Sequence, residues 1–225
     1  MGVPLLVVGA GGFARETVEA VHAINGIERR WDLMGFLDDD PALHGTEIDG
    51  TPVLGPTTLV HEHPDATVVV CTGSPRNYFS RKQIVRRLEL PPTRFATIVH
   101  PSASLARSTS VGPGTVLLAS VVATASVSIG SHVAVMPGVV FTHDDVIGDF
   151  ATVGAGVLLA GAVNVGEGVY LGSGCMVRED RSIGDWSLVG MGSVVTKDVP
   201  DEEIWIGSPA RRLRSVERPP VPVGK

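Results

Sequence analysis

Residues 129–147 read IGSHVAVMPGVVFTHDDVI, and within this stretch the apolar residues Ile129, Val135, Phe141 and Ile147 fall six apart. The spacing continues backwards through Ala123, Leu117, Val111, Leu105 and Val99, and forwards through Val153, Leu159, Val165, Leu171, Val177, Ile183, Val189 and Val195. A period of six belongs to neither an α-helix nor an ordinary strand, so this half of the chain is a repeat coil burying one residue per short face. Glycine follows the apolar residue at Gly112, Gly130, Gly148, Gly166 and Gly184, each 18 residues after the last. Three hexads therefore make one turn. Gly154, Gly172 and Gly190 repeat that spacing, as do Gly138, Gly156, Gly174 and Gly192. These columns predict stacked corners of a three-sided prism, where the backbone turns sharply or takes a positive φ.

The chain has 225 residues and a formal net charge of −6 with no basic run. That excludes a general nucleic-acid footprint while leaving room for a pocket holding one phosphate group. Thr115 to Thr142 contains no Asp, Glu, Lys or Arg, and hydropathy alone would take it for a membrane helix. The hexad phase runs unbroken into charged residues on both sides, so no membrane association is expected. Cys71 and Cys175 lie far apart in sequence and predict buried, reduced thiols. With no basic region at Met1 to Gly12, this points to the cytoplasm.

Ahead of the coil, residues 4–9 form a short apolar run ending in glycine, 13–23 suit a helix, and 33–37 and 67–71 read as further parallel strands. A second helix is expected over 76–89, closed by Pro91 and Pro92. The expected organisation is a small α/β, Rossmann-like domain over 1–97, an all-β repeat coil over 98–213 that resembles the left-handed parallel β-helix of hexapeptide-repeat acyltransferases, and a mobile tail over 214–225.

Gly9-Ala10-Gly11-Gly12-Phe13-Ala14 matches G-x-G-x-x-A between a strand and a helix, where backbone N–H groups receive a phosphate. The domain is too short for both halves of a dinucleotide fold, so a mononucleotide or nucleotide sugar fits better than NAD. Asp38 and Asp39 end the second strand, either to accept from a ribose or base or to make a solvated turn before Pro41. Thr72, Gly73, Ser74 and Arg76 follow the third strand on the same edge. Arg76 either offsets phosphate charge or is an ordinary surface arginine.

His143 stands at a predicted corner and is followed by Asp144 and Asp145; its alternative reading is a solvated surface histidine. Asp145 fills the fifth hexad position, a slot otherwise mostly small or apolar, and a carboxylate there implies a local polar network. Gly161, 18 residues on, brings its backbone to the same corner, where its N–H can face an oxyanion. His132 and His143 occupy different hexad positions, so no zinc-type ligand set is expected.

Taken together, the glycine loop, Phe36-Leu37-Asp38-Asp39, Thr72-Gly73 with Arg76, His100-Pro101-Ser102-Ala103, the coil, His143-Asp144 and Gly207-Ser208-Pro209-Ala210-Arg211 resemble one family of sugar acetyltransferases. These are hexapeptide-repeat enzymes, the group of sialic acid O-acetyltransferases and bacillosamine or perosamine N-acetyltransferases. The resemblance implies a homotrimer with acetyl-CoA between neighbouring coils and a nucleotide-linked aminosugar on the small domain. It places a general base on His143, its acidic partner on Asp144, and acetyl-CoA contacts on Gly161, Ser173 and Met191. Gly9, Gly11, Gly12, Phe13, Asp38, Asp39, Thr72, Gly73 and Arg76 become the sugar-nucleotide residues. The chain departs from the pattern at Thr152, where members of the family can carry a second histidine. The competing readings are O-acetylation of a free sugar and a non-catalytic scaffold.

Overall fold

The computed structural model describes residues 2–217. The amino-terminal part is an α/β unit built on the strands Val3–Val8 (β1), Trp31–Leu37 (β2), Glu47–Ile48 (β3), Thr51–Gly55 (β4) and Thr67–Val70 (β5). They form one sheet in the order β3-β4-β2-β1-β5. β1 pairs in parallel with both β2 and β5, so their carboxyl ends lie side by side. The helix Gly12–Ile27 (α1) leaves the glycine loop and buries Ala14, Val18 and Val21. The second helix, Ser80–Leu88 (α2), starts four residues later than its polarity predicts. Tyr78 and Phe79 are drawn out of it, stacking with Trp186 of the coil. The sheet also contains an antiparallel pair, β3 with β4, that hydrophobic patterning did not reveal, since β3 is two residues long.

From Ile98 onwards the chain winds as a prism whose three faces are parallel sheets of two-residue strands. The first face runs from Ile98–Val99 through Val116–Leu117 and Thr152–Val153 to Leu188–Val189; the second from Ser104–Leu105 through Val140–Phe141 and Leu158–Leu159 to Val194–Val195; the third from Ser110–Val111 to Ser182–Ile183. The hexad residues fill the interior as one column of core, Phe141 and Leu171 among them. The fourth residue of the hexad carries the positive φ, as at Asp144 (63°) and Gly138 (71°). The glycine column at Gly112, Gly130 and Gly148 serves a different purpose. A Cβ on Gly148 would lie 2.6 Å from the Gly166 carbonyl carbon of the next coil, so close stacking demands glycine there.

The α/β unit lies on the first face, whose outward Ile98, Val116, Ala134 and Thr152 are buried. Ala96 N–H donates to Val68 and Ile98 N–H to Thr115, so the connection between the two parts is hydrogen-bonded throughout. After the coil, Glu203–Ile206 and Arg211–Ser215 form an antiparallel hairpin, and Val216 N–H donates to the Glu202 carbonyl. Arg214, Ser215 and Val216, expected within the tail, are therefore held by backbone pairing; residues 218–225 of that segment lie outside the described residues.

Candidate active site

Two groups of chemically capable residues stand out, one on the sheet edge and one on the prism. At the carboxyl ends of β1, β2 and β5, Gly9, Gly11, Gly12, Phe13, Asp38, Thr72 and Gly73 line a cleft of about 280 Å³, together with Ala10, Cys71, Ser74, Asn77 and Ser80. Gly9 has φ +98°, and a Cβ there would meet the Cys71 carbonyl oxygen at 2.8 Å, so its glycine is imposed by the fold. Gly11 and Gly12 are different. A Cβ on either would meet nothing within 4 Å, so their bare backbone leaves open space at the start of α1. That is a cradle suited to an anionic group beside the first N–H groups of a helix. Asp38 accepts from Ala10 N–H at 2.9 Å and Asp40 N–H at 3.0 Å, fixing the loop.

Asp39 and Arg76 do not join this cleft. The Asp39 carboxylate is turned toward Thr57, whose N–H and hydroxyl it accepts at 2.9 and 2.8 Å, and toward Arg87. Those bonds hold its carboxyl below the usual range against the cost of burial. Asp39 therefore holds the strand end to Thr57 and Arg87 and does not line the cleft, against the expectation that it joins the sugar-nucleotide residues there. Arg76 is exposed, outside the cleft lining. Asn77 and Ser80 line the cleft in its place. Sequence reading missed them because they gave no motif beyond a polar run.

The cleft wall is tied to the prism by Arg81, a buried residue with no earlier signal. Its guanidinium donates to the Thr72 carbonyl at 2.9 Å and, across the junction, to Phe150 O, Ala151 O and Thr152 Oγ1 at 3.0, 3.1 and 2.7 Å. Burial lowers its pKa to about 10. Thr152 is thereby occupied as a structural acceptor. His132, buried between Phe95 and Phe150, has its pKa lowered to about 4 by burial first and by Arg81 second.

At the corner between the second and third faces, His143 Nδ1 lies 2.9 Å from Asp144 Oδ2 in an exposed pair. The next coil fixes the ring's other side. A Cβ on Gly161 would stand 2.3 Å from His143 Cε1 and 2.4 Å from Nε2, so the imidazole edge lies directly over the bare Gly161 Cα. Ala162 N–H donates to the His143 carbonyl at 2.8 Å, locking the two coils at this point. The Gly161 N–H has no acceptor among the described residues, whereas at the neighbouring corner Ser131 and Glu167 N–H groups are capped by Asp149 and Asp185. Asp145 is fully buried, and desolvation pushes its carboxyl up to about 6 although Val163 and Thr142 N–H groups donate to it. Ser173 and Met191 stack at the corner between the first and second faces, joined by the 2.9 Å bond from Gly192 N–H to Ser173 O. The second face therefore separates them from Gly161.

The family model described as the PglD N-terminal domain matches residues 4–88. The solved acetyltransferase domain of PglB from Neisseria gonorrhoeae FA1090, in complex with acetyl coenzyme A, superposes with a TM-score of 0.84 at 26% identity, covering 95% of this chain and 100% of that one. Over nearly its whole length the chain is thus similar to a solved acetyltransferase domain. PerB from Caulobacter crescentus, in complex with CoA and GDP-perosamine, matches with a TM-score of 0.82 at 28% identity over 93% of this chain and 97% of that one. UDP-N-acetylbacillosamine N-acetyltransferase of Bacillus subtilis strain 168 is 34% identical over 115 residues, about half of this chain and half of that relative.

Proposed function

We propose that this protein transfers an acetyl group from acetyl-CoA to the amino group of a nucleotide-linked aminosugar. The observation that carries the reading is the coexistence, in one chain, of the glycine-lined cleft and the His143–Asp144 pair laid over Gly161. With Nδ1 held by Asp144, Nε2 is the imidazole nitrogen available to take a proton. The sugar amine attacks the thioester carbonyl, forming the C–N bond as its proton passes to His143. The Gly161 N–H, free of other acceptors, faces the oxyanion that develops. Collapse breaks the C–S bond, and the proton returned by His143 leaves coenzyme A as its thiol. No acyl-enzyme is required; Cys175 is buried, which pushes its thiol up to about 12 and makes it a poor nucleophile.

The working unit is a homotrimer in this reading. The second face bears an outward ladder of Val122, Val140, Leu158, Met176 and Val194, with Leu158 and Met176 43% and 42% exposed. On the third face most outward residues are polar: Ser110, Ser128, Asn164 and Ser182. An uncovered apolar stripe of this kind supports burial against another copy. Three-fold packing is heterologous, so one copy's His143 corner meets its neighbour's Ser173–Met191 corner, with acetyl-CoA in the groove between. Within a single chain the α/β unit sits on the first face while His143 stands at the opposite corner, which supports sharing of the sugar between copies. Free Cys71 and Cys175 fit a reducing cytoplasm, and no helix among the described residues is long and apolar enough to cross a membrane.

Thiol release from acetyl-CoA, measured with UDP-, GDP- and dTDP-linked 3-amino and 4-amino sugars, tests the reading. Release with one of them, giving an amide product, is expected. Release only with a free sugar, giving an ester, would make the protein an O-acetyltransferase; no release with any sugar would favour a scaffold.

A further inference from the structure

The coil-to-coil hydrogen-bond ladder of the second face is broken at one rung, and the break lies next to His143. On this face the N–H that follows each hexad residue donates to the carbonyl one coil along: Ala106 to Ala123, Thr124 to Phe141, Ala160 to Val177 and Arg178 to Val195, at 2.9–3.1 Å. Thr142 should donate to Leu159 and does not. Its N–H instead turns 2.8 Å from Asp145 Oδ2. The strand register shows the same interruption. Val122–Ala123 and Leu158–Leu159 each pair two residues with the next coil, but only Val140 of Val140–Phe141 pairs, with Leu158.

Asp145 Oδ1 meanwhile accepts from Val163 N–H at 2.9 Å, so one buried carboxylate grips the chain just before His143 and again two residues beyond Gly161. The fifth hexad slot shows what other residues do there. Thr115 occupies it one and two-thirds turns earlier and accepts the equivalent Val133 N–H at 3.0 Å, yet Gly112 keeps its ladder bond to Ile129. A hydroxyl thus binds the next coil without disturbing the rung. Only the second carboxylate oxygen diverts it. Val127 and Val163 fill the slot with no polar group at all, so the coil closes without a carboxylate. A buried carboxylate that carries its desolvation cost where valine suffices is a feature the fold itself does not need.

We propose that Asp145 is a positioning residue for acetyl transfer: by taking Thr142 out of the ladder and anchoring Val163, it sets the backbone carrying His143 relative to Gly161. The proposal rests on the transfer reaction assigned above. It acts through backbone geometry, without contact between Asp145 and substrate, so its effect falls on the chemical step.

The test compares wild type with Asp145→Thr, which keeps the Val163 bond and returns Thr142 to the ladder, and Asp145→Val, which removes both. Thr115 and Val163 show that the coil accepts either residue in this slot, so both variants should assemble. Expected is a fall in kcat of about tenfold or more in both variants, with KM for acetyl-CoA and aminosugar changed by less than about twofold. Wild-type kcat in either variant, or a loss carried by KM alone, would overturn the proposal while leaving the transfer reading intact. A wild-type protein that acetylates no nucleotide-linked aminosugar would overturn both.

Discussion

His143 is useful because of what lies on either side of its ring. Asp144 holds one nitrogen, and Gly161 offers a surface with no side chain to the other. Gly161→Ala would place a methyl group where the imidazole edge now rests, and kcat is expected to drop on the order of 10- to 100-fold, as misplacement of a reacting group by about 1 Å does. Steady-state kinetics with a matched sugar would show it; an unchanged kcat would mean that the ring relaxes freely. Asp145 makes a prediction in stability. Its carboxyl, raised from 3.8 to about 6, is easiest to bury when protonated. The stability associated with protonation is present in full below the ordinary carboxylate pKa and disappears as pH rises through about 6. Relative to Asp145→Thr, wild type should therefore lose about 2 kcal/mol between pH values of about 4 and about 7.5, a measure for denaturant titration at each pH. His143 and Asp145 were visible in the sequence through their place in a repeat, and the loop glycines through the G-x-G-x-x-A pattern. Arg81 was not, because a buried arginine on a basic helix looks like its exposed neighbours Arg86 and Arg87 until the prism is brought against it.

The repeat itself was fully legible, since one apolar residue every six positions leaves no other way to bury the chain. The purpose of its glycines was legible only in part. Spacing located three columns but could not separate a residue needing positive φ from one needing close approach. Gly138 has φ +71° with nothing near an added Cβ, whereas Gly148 lies against the backbone of the next coil. Gly138→Ala is therefore expected to cost about 1 kcal/mol. Gly148→Ala should cost more, about 3 kcal/mol, because a backbone contact at 2.6 Å forces the coils apart. Equal unfolding midpoints for the two variants would contradict this division. The delayed start of α2 and the short β3–β4 pair were hidden for a related reason. Both are settled by tertiary partners, Trp186 for Tyr78 and Phe79, and β2 for β4, which local periodicity does not encode.

Across the whole molecule the fold keeps the glycine-lined cleft and the His143 corner apart while wiring the cleft to the prism. Arg81 carries that connection, with one bond to the Thr72 carbonyl and three to residues 150–152. Arg81→Met leaves these acceptors without their donor, so a raised KM for the sugar nucleotide with little change in KM for acetyl-CoA is expected. A shared site makes a second demand. Chains carrying His143→Ala and chains carrying Gly11→Leu, which fills the cleft, should each be inactive alone and recover part of the activity when assembled together. Mixed assemblies as inactive as their parents would contradict sharing between copies. The role of His143 as the base is tested by turnover of acetyl-CoA by wild type and His143→Ala with the nucleotide-linked aminosugar that wild type prefers. His143→Ala is expected to lose about 100-fold or more with assembly intact; a variant that turns over at the wild-type rate would show that His143 is not the base.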